Sequence, residues 1–188
     1  MSRYDGEVSD DFRLDMGAPW LNLLATRGRH FGPRPVERIP TVERLRDWLA
    51  LAELTPLAPV TGPDLDAAHR LRETLRPLAL GAVDGVAPEP DQVRALTAFL
   101  APEPVHLAAF DRLHRSAPPT ASDAWARLAH QAADWLTGPL RGDLRACPEQ
   151  DCRGVFADPG GRRRWCPSPA CASRGRVRAL RERRRAES

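Results

Sequence analysis

The cysteines of this chain, Cys147, Cys152, Cys166 and Cys171, all lie beyond residue 146 and follow the pattern C-x4-C-x13-C-x4-C. Two short-range pairs can bring four thiolates to one point with little loop entropy left to lose. Closed structural zinc sites are built this way. The spacing predicts one structural zinc ion (Zn2+) per chain, with no coordination position left open for metal catalysis. An iron–sulfur cluster uses the same four thiolates, so ligand type alone does not separate the two. Neither pair has the C-x-x-C spacing of a redox motif. Disulfides would require an oxidising compartment. The opening stretch MSRYDGEVSDDF is polar and acidic, without the basic start and apolar run of a signal peptide. No apolar run approaches the ~18 residues of a membrane span. The expectation is a cytoplasmic chain that makes no membrane contact.

Charge points the same segment toward a polyanion. All 28 basic residues are arginine. Residues 1–146 hold 17 Arg against 20 Asp and Glu, whereas residues 147–188 hold 11 Arg against 5. Four thiolates with one divalent zinc remove only two of those positive charges, so the tail stays basic on an acidic body. That asymmetry is the electrostatic footprint of a nucleic-acid reader. The candidate DNA contacts are Arg162, Arg163 and Arg164, together with Arg174, Arg178 and Arg181, which at i, i+4 and i+7 share one helical face. Arginine suits both phosphates and guanine edges because its planar fork is bidentate.

The rest of the chain offers no catalytic constellation. His30, His69, His106, His114 and His130 contain no pair at zinc-enzyme spacing. There is no nucleophile elbow, Walker loop or dinucleotide fingerprint. Asp64 with Asp66, and Asp10 with Asp11, read as helix-start and surface charges. The expectation is a non-enzymatic protein without catalytic residues. Asn22, Arg27 and Arg72 are the body's candidates for lining a small-ligand pocket. Buried hydrogen bonding between helices accounts for Asn22 and Arg72 equally well. The tryptophans at 20, 48, 125 and 135 read as core.

These residues must be positioned by a mainly α body with a small β element. A short strand is expected at Phe12–Leu14 and a short helix over Trp20–Thr26, then a loop over Gly28–Pro40. Thr41 should cap a helix over Val42–Ala52. Asp64 should open the longest helix, to about Leu80, and Asp91 should cap a helix over Gln92–Leu100. Val105–Leu113 reads as β, and Asp123 should begin a helix to about Thr137, with Gly138–Ala146 as linker. The tail should form a strand at Gly154–Asp158, a turn at Pro159-Gly160-Gly161, a return strand at Arg163–Cys166, and a helix over Ala170–Arg185. Val177 and Leu180 should pack against Phe156 and Trp165. The result is a treble-clef-like finger too small to fold on its own core. The division expected is residues 1–140 for the body and 141–188 for the finger.

The run C-x4-C-x3-F-x-D…R-R-W-C-x4-C-x2-R resembles the CGNR zinc finger, here Cys147, Cys152, Phe156, Asp158, Arg163, Arg164, Trp165, Cys166, Cys171 and Arg174. The signature Cys-Gly-Asn-Arg reads Cys171-Ala172-Ser173-Arg174. Upstream, Asn22 within Pro19–Leu23, Leu45 with Trp48-Leu49, and Leu71-Arg72-Glu73 resemble the ABATE domain that accompanies this finger. The resemblance spans about residues 12–185. It implies a bacterial transcriptional regulator whose finger binds DNA and whose body is a sensor, with room for a small-molecule effector and a homodimer. The alternative is a protein-interaction or small-ligand-binding protein in which the finger is only a structural staple.

Overall fold

A computed structural model of the chain describes residues 12–101, 107–109 and 113–186. Asp10, Asp11 and His106 lie outside the described residues. Six helices and three two-stranded antiparallel sheets are present among the described residues. Helix α1 spans Pro19–Ala25, and strands β1 (Arg27–Gly28) and β2 (Val36–Glu37) pair across the stretch expected to be only loop. Next come α2 (Val42–Leu51), α3 (Gly62–Asp84) and α4 (Pro90–Thr97). Strands β3 (Leu107–Ala109) and β4 (Leu113–Arg115) form the small β element. Helix α5 covers Ala121–Thr137.

The helix starts show why the aspartates stand where they do. Thr41 caps α2 as expected, its hydroxyl accepting from the Arg44 N–H at 3.3 Å. Asp64 and Asp123 are not the first capping residues. Each sits three positions after a threonine and reaches back to it. Asp64 Oδ2 accepts from the Thr61 N–H at 2.8 Å, and Asp123 Oδ2 from the Thr120 N–H at 2.9 Å. These are capping boxes, and they start α3 and α5 a few residues earlier than the aspartates themselves suggest. Helix α4 likewise begins after Glu89 rather than at Asp91. Gly85 ends α3 in the left-handed conformation, with φ of 72°.

Helices α3 and α5 pack against each other at the centre, and α1 crosses both. The faces that meet are apolar at helical spacing: Ala68, Leu71, Leu75 and Ala79 from α3, and Ala124, Leu128, Ala129 and Ala132 from α5. The alanines on α5 let the backbones approach, while Trp20, Trp48 and Trp125 fill the larger spaces. Burial of each such large side chain contributes about 1.5–3 kcal/mol. Trp20 meets the edge of Trp135, with ring centroids 6.3 Å apart.

Three sequence expectations fail locally. Phe12–Leu14 is not a strand, because the Asn22 side chain claims the neighbouring backbone. It accepts from the Met16 N–H at 3.1 Å and donates to the Leu14 carbonyl at 3.2 Å. In the tail, the residues expected as a linker instead form a 3-10 turn (Pro139–Asp143) and strand β5 (Leu144–Ala146). Strand β5 pairs with β6 (Val155–Ala157), so the sheet of the finger flanks the first cysteine pair. Arg163–Cys166, the expected partner, is not a strand. The main-chain partners explain this. The Ala157 N–H goes to the Met16 carbonyl, the Asp158 N–H goes to the Asp143 carbonyl, and the Asp158 carboxylate accepts from the Arg163 N–H at 2.7 Å, closing the loop between them. Helix α6 (Pro169–Ala186) completes the chain.

Candidate metal centre and basic surfaces

The C-x4-C turn is folded by its own backbone. The Cys147 N–H donates to the Gly154 carbonyl at 3.0 Å, and the N–H groups of Cys152 and Arg153 both donate to the Glu149 carbonyl at 2.9 Å. Arg153 takes a left-handed φ of 46° to make that turn. Cys166 follows in the loop after Trp165, and Cys171 lies in the first turn of α6. The four Sγ atoms lie within 4.8 Å of one another, and Cys147, Cys166 and Cys171 are buried. For a Zn–S distance near 2.3 Å, a regular tetrahedron places its sulfurs about 3.8 Å apart. The Cys152–Cys166 Sγ separation is 3.9 Å. It matches a tetrahedral edge and is nearly twice a disulfide bond. The donor set therefore fits zinc, which these four cysteines would hold. Bound there, the ion cross-links the knuckle to α6.

Two apolar expectations for α6 divide. Trp165 is half-buried and packs against the core, with its indole lying on Gly175. Val177 and Leu180 do not join it. They are 45% and 44% exposed, because Gly175 rather than Val177 forms the helix face under the indole.

Residues 17–139 match the family ABATE, described as "Putative stress-induced transcription regulator". The chain belongs to the ABATE family. Residues 144–184 match the CGNR zinc finger. No curated protein matches the chain. The four thiolates are thus the centre of a CGNR finger that takes one structural zinc ion. Among the described residues, no helix is long and apolar enough to cross a membrane.

The finger and the ABATE domain share one core. Cys147, Val155, Phe156, Cys166 and Cys171 belong to the same buried cluster as Met16, Trp20 and Leu71. Phe156 is fully buried. Outside the core, Arg153 of the knuckle pairs with Asp84 at the end of α3, at 2.6 Å.

The tail arginines separate into two groups. Arg174 and Arg178 turn back onto the knuckle. Arg174 lies 3.2 Å from Asp151 and 3.7 Å from Glu149, and Arg178 is hydrogen-bonded to Glu149. Glu149 is almost fully buried, so these two guanidiniums are its counter-charges. Arg162, Arg163, Arg164 and Arg181 are exposed, and Arg164 stacks over Trp165 at 5.0 Å. Arg176 and Arg183, two turns apart on the outer face of α6, are also exposed and carry no ion pair among the described residues. The sequence reading missed both. The acidic pair Glu149 and Asp151 between the first two cysteines was the signal that the Arg174–Arg178 face turns inward.

In the ABATE domain, the three residues singled out are not assembled into one pocket. Asn22 holds the 14–16 segment to α1, as described above. Arg72 is 1% exposed and fully engaged. It makes a two-pronged contact with Glu37, at 2.8 and 2.6 Å, and reaches Thr26 Oγ1 at 2.9 Å and Glu73 at 3.0 Å. Burial pushes the Glu37 carboxyl up, but the Arg72 fork and charge and the Ile39 N–H outweigh it and hold it below its ordinary range. Arg27 lies 3.9 Å from Glu73 and lines a cavity at the seam with the finger. Burial and then the charge of Arg76 depress His30 nearby. The side chains of His69 and His130 bond main-chain carbonyls, those of Ile39 and Ala101.

Proposed function

We propose that this protein is a non-enzymatic, DNA-binding transcriptional regulator, in which the zinc centre fixes α6 to the body and its outward arginines contact the phosphate backbone. One observation carries the reading: α6 projects Arg176, Arg181 and Arg183 to solvent without carboxylate partners among the described residues, while Arg174 and Arg178 anchor it through Glu149. Arginines held on a rigid helix and left unpaired are poised to displace counterions from a duplex. The loop arginines Arg162–Arg164 extend the same charge beside the helix.

The test is the salt dependence of DNA binding by the zinc-loaded chain. Neutralising about four phosphates gives a slope of log K against log salt near −3.6. Arg176→Ala or Arg183→Ala each flattens that slope by about one while leaving the melting temperature unchanged. Arg178→Ala instead lowers the melting temperature, because it strips a partner from buried Glu149. Binding that ignores salt and survives the Arg176/Arg183 double change would reject the proposal.

The exposure of Val177 and Leu180 on α6 favours a second reading, in which the helix docks on a protein partner. Leu180→Ser would then abolish partner binding and leave DNA affinity intact.

A further inference from the structure

Between the ABATE domain and the CGNR finger lies a cavity of about 430 Å³. Six arginines line it: Arg13, Arg27, Arg29, Arg38, Arg76 and Arg174. Among the described residues, no carboxylate does. The acids that balance these arginines stand outside the lining and are shared. Glu73 serves Arg27 and Arg76 as well as Arg72, and Asp151 serves both Arg29 and Arg174. Arg38 and Arg76 are nearly buried. Burial lowers the proton affinity of the Arg76 guanidinium, Glu73 opposes it, and the Arg72 and Arg27 charges add to the lowering. The Nε atoms of Arg29 and Arg174 are buried and make no hydrogen bond among the described residues, although each lies near a carboxylate oxygen, of Asp151 at 3.4 Å and of Glu149 at 3.7 Å. Bringing like charges together around a partly desolvated space is unfavourable unless an anion joins them.

The remaining walls are apolar. Met16, Leu24, Ala25 and Val155 contribute side chains, and Pro169 and Ala170 add the start of α6. The zinc centre forms another part of the wall through Cys152, Cys166 and Cys171. Its net negative charge offsets some of the arginine field, and Arg174 lies 3.5 Å from the Cys171 sulfur. Of the other five, Arg13 donates to the Ser168 hydroxyl at 3.1 Å, Arg38 to the Ala25 carbonyl and Arg76 to the Leu24 carbonyl, each at 3.2 Å, while Arg27 and Arg29 face Glu73 and Asp151. The volume falls in the range of small-molecule sites, and the combination of apolar walls and a few forked donors fixes the kind of ligand.

We infer that this seam is a binding site for a small organic anion, a carboxylate carried on an apolar body. Its charged end meets the arginine forks and its apolar end lies against Met16, Leu24 and Val155. Because body and finger both supply walls, occupancy ties α6 more firmly to the ABATE domain. The inference stands independently of whether α6 touches DNA.

The experiment uses the zinc-loaded full chain without DNA. Octanoate, phenylacetate and naphthoate are each titrated against their primary amides and against inorganic phosphate, with backbone amide shifts and melting temperature as readouts. The expected result is that at least one carboxylate binds about tenfold more tightly than its amide and than phosphate, moving the amides of Ala25, Gly28 and Gly154. The double change Arg13→Gln/Arg27→Gln weakens it about tenfold, and Ala25→Trp, which fills the cavity, abolishes it. Equal affinity for acid and amide would overturn the charge assignment. Equal affinity for phosphate would overturn the apolar one. No carboxylate binding, or binding indifferent to both variants, would overturn the site.

Discussion

Trp165 occupies the space that any side chain at position 175 would need. A β-carbon built on Gly175 comes within 2.4 Å of the indole Nε1 and 2.6 Å of Cε2 and Cζ2. The contact explains why a glycine stands inside α6 despite the ~1 kcal/mol it costs a helix. The indole packs against the bare backbone of α6 at this glycine.

Gly175→Ala should therefore raise helix propensity yet loosen the finger. The displaced ring must leave a half-buried site on which Arg164 also stacks. Overpacking of this kind destabilises by about 1–3 kcal/mol. Zinc competition with a chelator and thermal melting would measure it. A variant as stable as the parent, with unchanged metal affinity, would show that the indole relocates freely.

Removing zinc should destabilise more than the tail. Structural zinc supplies on the order of 10 kcal/mol of folding free energy in finger peptides. Here β6 is bonded to the Met16 carbonyl, and Phe156 belongs to the core of the body. Chelation, or Cys166→Ser, should lower the melting temperature of the body signal itself, followed through the buried tryptophans. If the tryptophan transition stays where it was while only α6 melts, finger and body fold independently.

The Arg72–Glu37 pair sets part of the acid limit of stability. Arg72→Met leaves a half-buried carboxylate without its fork and should cost about 3 kcal/mol near neutral pH. The Glu37 carboxyl titrates below its ordinary value of 4.5 in the folded chain. Its contribution is therefore fully present above that value and is lost as pH falls through the depressed one. Glu73, beside Arg72 and Arg76, shifts in the same direction. Urea melts from pH 7 down to pH 3 should show a shallower decline for Glu37→Gln than for the parent; parallel curves would remove the pair from the acid limb.

Local pattern made some of this molecule legible. The spacing of Leu71 and Leu75, and of Leu128 and Ala132, marked the central helices because one buried face repeats every turn. The cysteine pairs marked the metal site because a tetrahedron requires convergence. Threonine capping boxes were misplaced by a turn, since Asp64 and Asp123 act by reaching backward. Strand β5 carried no signal, because Leu144–Ala146 is too short for alternation and is ordered by pairing with Val155–Ala157. The inward face of α6 depended on Glu149, a residue whose burial only the folded knuckle creates. The seam cavity was invisible for the same reason: its arginines are scattered from Arg13 to Arg174 and meet only in three dimensions.

The Met16–Ala157 hydrogen bond has a consequence in time. Gly17 adopts a φ of 102° beside it, and a β-carbon there would lie 2.6 Å from that of Ala157. The first stretch of described chain thus waits for one made far later. At ribosomal speeds the interval is on the order of ten seconds. Through that interval α1 exposes the surface that the finger will cover, and the surface closes only once the knuckle has formed. Metal capture then coincides with the end of vulnerability to proteases and aggregation. A zinc-starved cell would register the shortage as a lower abundance of this protein, ahead of any change in what the protein binds.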